Sequence, residues 1–328
     1  MFVKYRSLEN SYRQKFVDKC AELGIDEWVA LEKLHGANFG FIVAVDETEL
    51  TVEAFKRTST LEANATGDYD FYGCTALVEA HKSKMKLISD WVWGHLMIED
   101  GEPVIVYGEL AGKGVQKEVN YGEKDFYAFD IYLPKRDRYL DWDDVQAACK
   151  FAEVNTTNEI ARGKLDKLLG IDPLFRSTHT PKGIEGENWA EGFVVKQLKN
   201  EKLFSTGQRA ILKVKNERFK EKKNKAGKVP KAPVQYTEEQ AKLHAEMSLY
   251  LTENRLKNVL SKLETVTQKQ FGMVSGLLLK DAKDEFERDE RDEVSIVRDD
   301  WDVIRRSLSN LANEIVRKNW LNILDGEF

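Results

Sequence analysis

Short apolar runs, each about the length of one β-strand, recur through the first 215 residues and limit the folds open to the chain. Their spacing lacks the regular alternation of strand and helix that a parallel sheet requires. We therefore predict an α+β fold in which antiparallel sheets are flanked by helices. The predicted strands cover residues 28–31, 39–45, 50–54, 104–107, 126–133, 191–197 and 210–214, and the predicted helices cover residues 11–23, 75–98, 141–153 and 159–169.

The composition of the chain changes after Val214. Residues 215–235 are polar, rich in lysine and broken by two prolines, which is typical of a linker or exposed arm. From Thr237 onward the apolar residues fall at helical spacing, and Thr237 with Gln240 predicts a capping box at a helix start. We predict a first domain over 1–235, including a basic linker over 216–235, and a small helical domain over 236–328, with helices near 267–288 and 295–323.

The composition excludes several classes of protein. With 328 residues and 42% hydrophobic residues the chain can bury a core. No stretch approaches the roughly 18 apolar residues of a membrane span, and the N-terminus lacks the apolar stretch of a signal peptide, so we expect a cytoplasmic protein without a membrane partner. Its three cysteines form no CxxC pair, which argues against a zinc site. Although the net charge is −6, nine basic residues between Lys213 and Lys231 form a run that can dock phosphates.

A Lys-x-His-Gly element, Lys33 to Gly36, lies between the apolar runs 28–31 and 39–45. It predicts a tight turn between two buried strands with one lysine at its edge. A lysine amine becomes a nucleophile only when neutral, and burial or nearby cations lower its pKa. Gly36 would allow the backbone to approach a ligand closely. Taken alone this motif is weak, and an ordinary solvated turn lysine is the alternative.

Lys213 and Lys215 are two residues apart on a predicted strand. Residues at this spacing point to the same face of a strand, so both ammonium groups suit a phosphate or could depress the pKa of a third lysine. A solvated sheet edge is the alternative.

Two glutamates and one aromatic residue also stand at strand positions that suit a nucleotide site. Glu191 begins an apolar strand and Glu109 ends one, and carboxylates at such positions suit Mg²⁺ or a ribose hydroxyl. Phe129 lies on an aromatic strand and could stack on a base. The alternatives are solvated or capping glutamates and plain core packing.

The order of these elements is far more specific than any one of them. It resembles the covalent nucleotidyltransferase superfamily, which holds DNA ligases, RNA ligases and mRNA capping enzymes. Within it the chain is most similar to the RNA ligase 2 family of phage double-strand RNA ligases, whose kinetoplastid members seal edited mRNA. The matching segments extend along most of the chain: residues 2–10, 32–39, 54–58, 107–117, 124–131, 190–196, 211–216, 251–255 and 276–285.

The resemblance implies a nucleotidyltransferase (ATP-grasp-like ligase) domain that binds ATP. Lys33 would attack the α-phosphate and hold AMP as a phosphoramidate. Phe129 would stack on the adenine, and the backbone at Glu32 would read its exocyclic amine. Glu109 would hold the ribose hydroxyl, and Arg57 would lie along the ribose and later near the donor phosphate.

The resemblance also implies which residues bind the metal ion and neutralise the phosphate charge. Glu191 would help to hold Mg²⁺ or Mn²⁺. Lys213 and Lys215 would neutralise the α-phosphate, with Lys215 favoured for the leaving-group step. His35 would order the site around the nucleophile.

The implied substrate is an RNA duplex with a nick, which the enzyme would seal as a monomer without an obligate protein partner. The resemblance to phage enzymes points to RNA repair in an infected cell. The implied RNA contacts are Asn38, Gln116 and Arg162 in the first domain and Arg255, Asp281 and Glu285 in the helical domain.

Three other functions remain open at this point. A DNA ligase or a capping guanylyltransferase would belong to the same superfamily, but a capping enzyme would more naturally carry Asp at the position of His35 and an OB-fold after Lys215. A non-catalytic nucleic-acid-binding adaptor would lack some of the catalytic residue types, and all of them are present here.

Overall fold

Eleven strands and eight α-helices are found in the residues that the computed structural model describes, which are 2–46, 49–199, 203–219, 236–263, 265–289, 298–326 and 328. The strands are β1 (Glu9–Asn10), β2 (Trp28–Glu32), β3 (Ala37–Asp46), β4 (Glu49–Lys56), β5 (Val104–Ala111), β6 (Asp125–Leu133), β7 (Arg138–Tyr139), β8 (Asn155–Thr156), β9 (Glu159–Gly163), β10 (Gly192–Gln197) and β11 (Leu212–Lys215). The helices are α1 (Gln14–Glu22), α2 (Thr75–Leu96), α3 (Trp142–Phe151), α4 (Leu165–Leu169), α5 (Glu238–Ser248), α6 (Glu253–Leu260), α7 (Phe271–Asp289) and α8 (Arg298–Leu324).

The first unit of the chain, Met1–Arg218, is built on two sheets. The first sheet has the strand order β1-β11-β10-β2-β9, in which β1 and β11 are parallel and the other neighbours are antiparallel. The second sheet has the order β4-β3-β5-β6-β7, all antiparallel, and β8 adds a short parallel pair to β6. Because β2 and β3 belong to different sheets, the turn between them carries the chain from one sheet to the other.

Successive side chains along a strand point to opposite faces of its sheet, and in the first unit they belong to three different hydrophobic cores. On β3, Phe39 and Phe41 pack with the buried face of α2, whereas Ile42 points to the opposite face of the sheet. On the first sheet, β10 directs Phe193 toward α1 and α4 and directs Val194 to the other side. The period of two that strands impose thus gives each sheet one face for helices and one face shared with the other sheet.

A buried ion network lies in the core that both sheets share. The Asp130 carboxylate on β6 accepts hydrogen bonds from Lys196 Nζ at 2.5 Å, from Arg209 at 2.9 Å and from the Tyr5 hydroxyl at 2.6 Å. All four side chains are less than 5% exposed. Lys196 also donates to the carbonyl oxygen of Phe129 at 2.8 Å. The network therefore ties β10, β6 and the N-terminal segment together behind Phe129.

The predicted α+β class with antiparallel sheets is confirmed, and one predicted element is wrong. Residues 159–169 do not form one helix, because residues 159–163 form β9 on the edge of the first sheet beside β2. Gly163, at a φ of 155°, ends this strand, and only Leu165–Leu169 is helical. The alternation of buried and exposed residues on an edge strand is weak, so its pattern is easily taken for that of a helix.

The second unit, Phe219–Phe328, is helical in all of its described secondary structure. Its core is formed by apolar faces of α5, α6, α7 and α8. Thr237 and Gln240 form the predicted capping box at the start of α5. The predicted linker over 216–235 lies mostly outside the described residues, so the domain boundary at 235 stays a prediction. No helix in the described part of the chain combines the length and apolar character that crossing a membrane requires.

Candidate active site

The turn between β2 and β3 holds Lys33 in a fixed backbone conformation. The amide of Glu32 donates to the carbonyl of Asn158 at 2.8 Å, and the amide of Lys33 donates to the carbonyl of Gly192 at 2.9 Å. A Cβ at Gly36 would lie 2.2 Å from the carbonyl oxygen of Leu110 on β5. The close approach expected at Gly36 is thus made to a neighbouring strand, and a glycine is required there for packing.

Glu191 is the centre of the charged cluster. Its carboxylate accepts a hydrogen bond from Lys33 Nζ at 2.7 Å and forms an ion pair with Lys215 Nζ at 2.8 Å. His35 Nδ1 lies 3.4 Å from the same carboxylate. Burial acts to raise the pKa of Glu191, but the charges of Lys215 and Lys33 outweigh it and hold the pKa well below its usual value. Glu191 is therefore an ionised carboxylate that joins segments 158 residues apart.

Gly192 explains how Glu191 comes so close to Lys215. The glycine has a φ of 140°, and a Cβ there would lie 2.0 Å from the carbonyl oxygen of Val214 on β11. Gly192 pairs directly with Lys215 across the two strands. Because any side chain at this position would push the strands apart, the Glu-Gly sequence is a geometric requirement for the cluster.

His35 links the cluster to the loop between β5 and β6. Its Nε2 lies 3.0 Å from the Glu118 carboxylate, and its backbone amide donates to the Tyr121 hydroxyl at 2.8 Å. Neither Glu118 nor Tyr121 was predicted from the sequence. The loop has no periodic pattern, so no local signal identifies these two residues as neighbours of the Lys33 turn.

Glu109 lies on β5, paired with Asn38 on β3. Burial raises the pKa of its carboxyl to about 7, since the neighbouring positive charge of Lys33 offsets the loss of water only in part and Glu191 opposes ionisation. Arg57, just after β4, is close enough to act on the same carboxyl. Glu109, Lys33, Glu191 and Arg57 therefore share one electrostatic environment.

The other residues of the first unit that were predicted to belong to the site lie on the surrounding strands. Phe129 is partly buried on β6, with its ring edge-on to Tyr5 at 5.0 Å between centroids. The side chain of Asn38 carries a buried Oδ1 without a hydrogen-bond partner among the described residues. Lys213 and Lys215 alternate with the buried Leu212 and Val214, so the two lysines share one face of β11, as predicted.

Two candidate RNA contacts lie on other elements. Arg162, on β9 opposite Val29, forms ion pairs with Glu159 and Asp143, both at 2.7 Å. These bonds raise its pKa above the usual value and already neutralise its charge in this conformation. Gln116 is partly buried in the loop between β5 and β6. Their role in binding RNA stays a prediction.

The three candidates of the helical unit make contacts within it. Arg255 is 2% exposed and donates to the Asp281 carboxylate at 2.7 Å, which also pairs with Lys262 at 3.0 Å. Glu285 pairs with Arg288 at 2.9 Å. The bond between Arg255 and Asp281 joins α6 to α7, so these two side chains hold the helices together here. Contact of the three residues with RNA stays a prediction.

The carboxylate of Glu32 accepts buried hydrogen bonds that were not predicted from the sequence. The Glu32 side chain is 1% exposed and accepts hydrogen bonds from the Ser177 hydroxyl at 2.6 Å and from the Thr178 amide at 2.8 Å. Burial raises the pKa of Glu32, while these hydrogen bonds oppose the rise. The sequence predicted a role for the backbone of Glu32, and its carboxylate has a second, structural one.

Comparison with known sequences identifies the family. Residues 26–215 match the family model described as RNA ligase, and residues 234–314 match the one described as T4 RNA ligase 2 C-terminal. The chain belongs to the RNA ligase family. The second match places this RNA ligase with the RNA ligase 2 type, as the sequence motifs predicted. By this membership the chain is an ATP-dependent RNA ligase of the nucleotidyltransferase superfamily, which favours that function over a DNA ligase, a capping enzyme or an adaptor.

Individual relatives are distant. The mitochondrial RNA-editing ligase 2 of Trypanosoma brucei brucei is 26% identical over 99% of this chain and 92% of that protein. The mitochondrial RNA-editing ligase 1 of the same organism is 24% identical over 54% of this chain, and the alignment spans 46% of that relative. A solved structure of Naegleria gruberi RNA ligase, a mutant with ATP and Mn, has a TM-score of 0.47 at 17% identity and covers 66% of this chain and 57% of that one.

Proposed function

We propose that this RNA ligase seals 3′-hydroxyl/5′-phosphate nicks in duplex RNA through a lysyl-AMP intermediate on Lys33 and an AMP-RNA intermediate. One observation carries the proposal: the Glu191 carboxylate gathers the amine of Lys33 and the ammonium group of Lys215 within 2.8 Å. A nucleophilic amine, a phosphate-neutralising cation and an ionised carboxylate are the parts that nucleotidyl transfer to lysine requires.

In the first step Lys33, which pairs with Glu191 in this conformation, releases a proton to water, and its neutral amine attacks the α-phosphorus of ATP and loses a second proton to water as the phosphoramidate forms. A P–N bond forms, the bond from the α-phosphorus to the bridging oxygen breaks, and pyrophosphate leaves with the electron pair. Lys213 and Lys215, which share a face of β11, suit the negative charge that develops on the phosphate and on the leaving group. Phe129 and the partly buried Glu109 would hold the base and the ribose.

The residues around Glu191 fit a divalent cation. Glu191 is an ionised oxygen ligand, and Mg²⁺ is commonly held by one or two carboxylates together with substrate phosphates. Among the described residues, no group of three or more His, Cys, Asp or Glu side chains could hold a metal ion alone. Phosphate oxygens of the nucleotide would therefore complete the ligand set, and Mg²⁺ or Mn²⁺ bound there would neutralise phosphate charge.

The second and third steps act on RNA. A 5′-phosphate of the nick displaces Lys33 from AMP, and the 3′-hydroxyl then attacks that phosphate and releases AMP. The match of residues 234–314 to the C-terminal domain of T4 RNA ligase 2 supports a role of the helical unit in these steps. A-form geometry and 2′-hydroxyl contacts are the physical means of selecting duplex RNA. Action as a monomer and in the cytoplasm stay predictions from the sequence.

The first step can be tested directly. The protein is incubated with Mg²⁺ and ATP labelled at the α-phosphate, and covalent label on the denatured protein is measured. We expect label with ATP, little label with GTP, and loss of at least about 1000-fold in Lys33→Ala because the nucleophile is gone. Lys86→Ala, which removes an exposed lysine of α2, is the matched control and should label like the wild type.

Two results would contradict the proposal. Equal labelling of Lys33→Ala and the wild type would place the nucleophile elsewhere. Labelling with GTP alone would indicate a capping enzyme. Sealing is then measured with nicked duplexes in which the strand carrying the 3′-hydroxyl is RNA or DNA, and equal sealing of both would remove the RNA requirement from the proposal.

A further inference from the structure

Residues 176–190, which we call the strap, form a loop that closes on itself and ends directly before Glu191. The Ser177 amide donates to the carbonyl of Asn188 at 2.8 Å, and the Ala190 amide donates to the carbonyl of Phe175 at 3.0 Å. The strap is therefore a loop whose two ends are paired with each other.

The side chain of Asn188 joins the strap to the loop between β5 and β6. Its Oδ1 accepts from the Asn120 amide at 2.7 Å, and its Nδ2 donates to the Asn120 carbonyl at 2.8 Å and to Thr180 Oγ1 at 2.8 Å. Asn188 is 4% exposed. The buried side-chain amide of Asn188 thus hydrogen-bonds two backbone groups of a segment 68 residues away. It also hydrogen-bonds Thr180 within the strap.

The two segments that Asn188 joins hold opposite ends of the Lys33 turn. From the strap, Ser177 and Thr178 donate to the Glu32 carboxylate, directly before Lys33. From the β5–β6 loop, the Tyr121 hydroxyl accepts from the amide of His35, two residues after Lys33. The turn is therefore held at both ends by segments whose mutual position depends on Asn188.

We propose that Asn188 is a positioning residue that fixes the Lys33 turn for attack on the α-phosphate. It acts through the strap and the β5–β6 loop, because its own hydrogen bonds go to Asn120 and Thr180. The inference rests on the proposed lysyl-AMP function. Attack by an amine requires near-attack geometry, and a displacement of about 1 Å can cost on the order of 100-fold in rate.

The test separates attack by Lys33 from the sealing step. Lysyl-AMP formation is measured in a single turnover at saturating ATP and Mg²⁺. Sealing is measured separately on a nicked RNA duplex that already carries AMP on its 5′-phosphate, a reaction that does not use the Lys33 amine as a nucleophile. The variants are Asn188→Leu, which removes all three hydrogen bonds, and Asn188→Asp, which keeps the shape and the acceptor but removes both donors.

We expect lysyl-AMP formation to slow by about 10- to 100-fold in Asn188→Leu and by less in Asn188→Asp. Sealing of the pre-adenylylated nick should stay within about 3-fold of the wild type, since Lys33 need not attack there. Lys182→Gln, at an exposed position of the strap, changes the charge by the same amount as Asn188→Asp and should match the wild type in both assays.

Several outcomes would overturn the inference. Unchanged lysyl-AMP formation in both variants would show that Asn188 does not position the turn. Equal losses in both assays would show a general structural role, and Asn188→Asp decides the matter if Asn188→Leu fails to fold. Absence of lysyl-AMP in the wild type would refute the proposed function itself, which is a different result from a normal wild type with unaffected variants.

Discussion

Two glutamates of the candidate active site carry opposite pKa shifts although they are neighbours. Glu109 has its pKa raised to about 7 by burial, whereas Lys215 and Lys33 outweigh the same effect at Glu191 and lower its pKa. The difference comes from direct ion pairs, which Glu191 makes with both lysines. One site can thus hold a carboxyl that takes up a proton near neutral pH and a carboxylate that stays ionised.

The shift at Glu109 predicts how stability depends on pH. A carboxyl with a raised pKa contributes stability that is present below its unfolded value of 4.5 and is lost as the pH rises through about 7. Glu109→Gln, which cannot ionise, should therefore match the wild type near pH 4.5 and exceed its stability by about 3 kcal/mol at pH 8. Denaturant unfolding in buffer with EDTA measures the difference.

Glu191→Gln is the matched comparison, and its effect on stability at high pH should be the opposite. The lowered pKa of Glu191 contributes stability that is present above 4.5 and is lost as the pH falls through the folded value. The variant should therefore be less stable than the wild type at pH 8. A Glu109→Gln variant that loses stability at pH 8 would contradict the assignment of burial as the dominant cause at that residue.

At the residue scale, the predicted residues that the structure brings together are those that belong to spaced motifs. Lys33, Glu191 and Lys215 were predicted because residue type and strand position are both visible in the chain. Asn188 and Tyr121 were not, because their role depends on contacts between two irregular loops. The side chains of such loops follow no period, so only the folded structure shows which of them meet.

At the scale of elements, the two sheets are joined by the ion network around Asp130. Burial acts to raise the pKa of Asp130, but Arg209 and Lys196 lower it to about 2. Removing this carboxylate would leave two cations buried between β6 and β10 without a partner. Removal of one member of a buried pair is far more costly than loss of a surface pair.

We therefore predict that Asp130→Asn lowers the free energy of unfolding by about 3 to 5 kcal/mol at pH 7. Asp137→Asn is the control, because Asp137 pairs with Arg6 at an exposed position and its loss should cost below about 1 kcal/mol. The stabilisation by Asp130 is present above 3.8 and is lost as the pH falls through about 2. Urea unfolding measures both variants, and equal costs would refute the structural role of the network.

The elements themselves were predicted where the apolar pattern is long. The runs that became β3, β6 and α2 are long enough to show their period. Strands of two residues, such as β1 and β8, are too short to have one and form only because longer neighbours offer free backbone groups. The error at β9 has a related cause, since its pairing partner β2 is more than 120 residues earlier in the chain.

At the scale of the whole molecule, the predicted catalytic residues and the helical unit are separable. The residues predicted to bind ATP all lie within Met1–Arg218, and each described core draws its side chains from one unit. We predict that residues 1–235 alone form lysyl-AMP within about 3-fold of the full chain but seal nicked RNA at least about 100-fold more slowly, because the helical unit is absent.

Label uptake and gel-based sealing assays measure the two activities of this truncated chain. Full-length Lys86→Ala serves as the control that a change on the surface affects neither. A truncated chain that seals like the full chain would show that the helical unit is dispensable. The change in composition after Val214 predicted this division from the sequence, whereas the boundary itself depends on residues 220–235 and stays a prediction.

The parallel pair of β1 and β11 has a consequence for biosynthesis. It joins Glu9 and Asn10 to Leu212 and Lys213, so the first sheet cannot close until about 200 further residues have left the ribosome. At about 5 to 20 residues per second this takes roughly 10 to 40 s. A nascent chain therefore displays Lys33 long before Lys215 can meet it, and premature termination before β11 would yield a fragment that carries Lys33 without the Lys215 that shares its Glu191 partner.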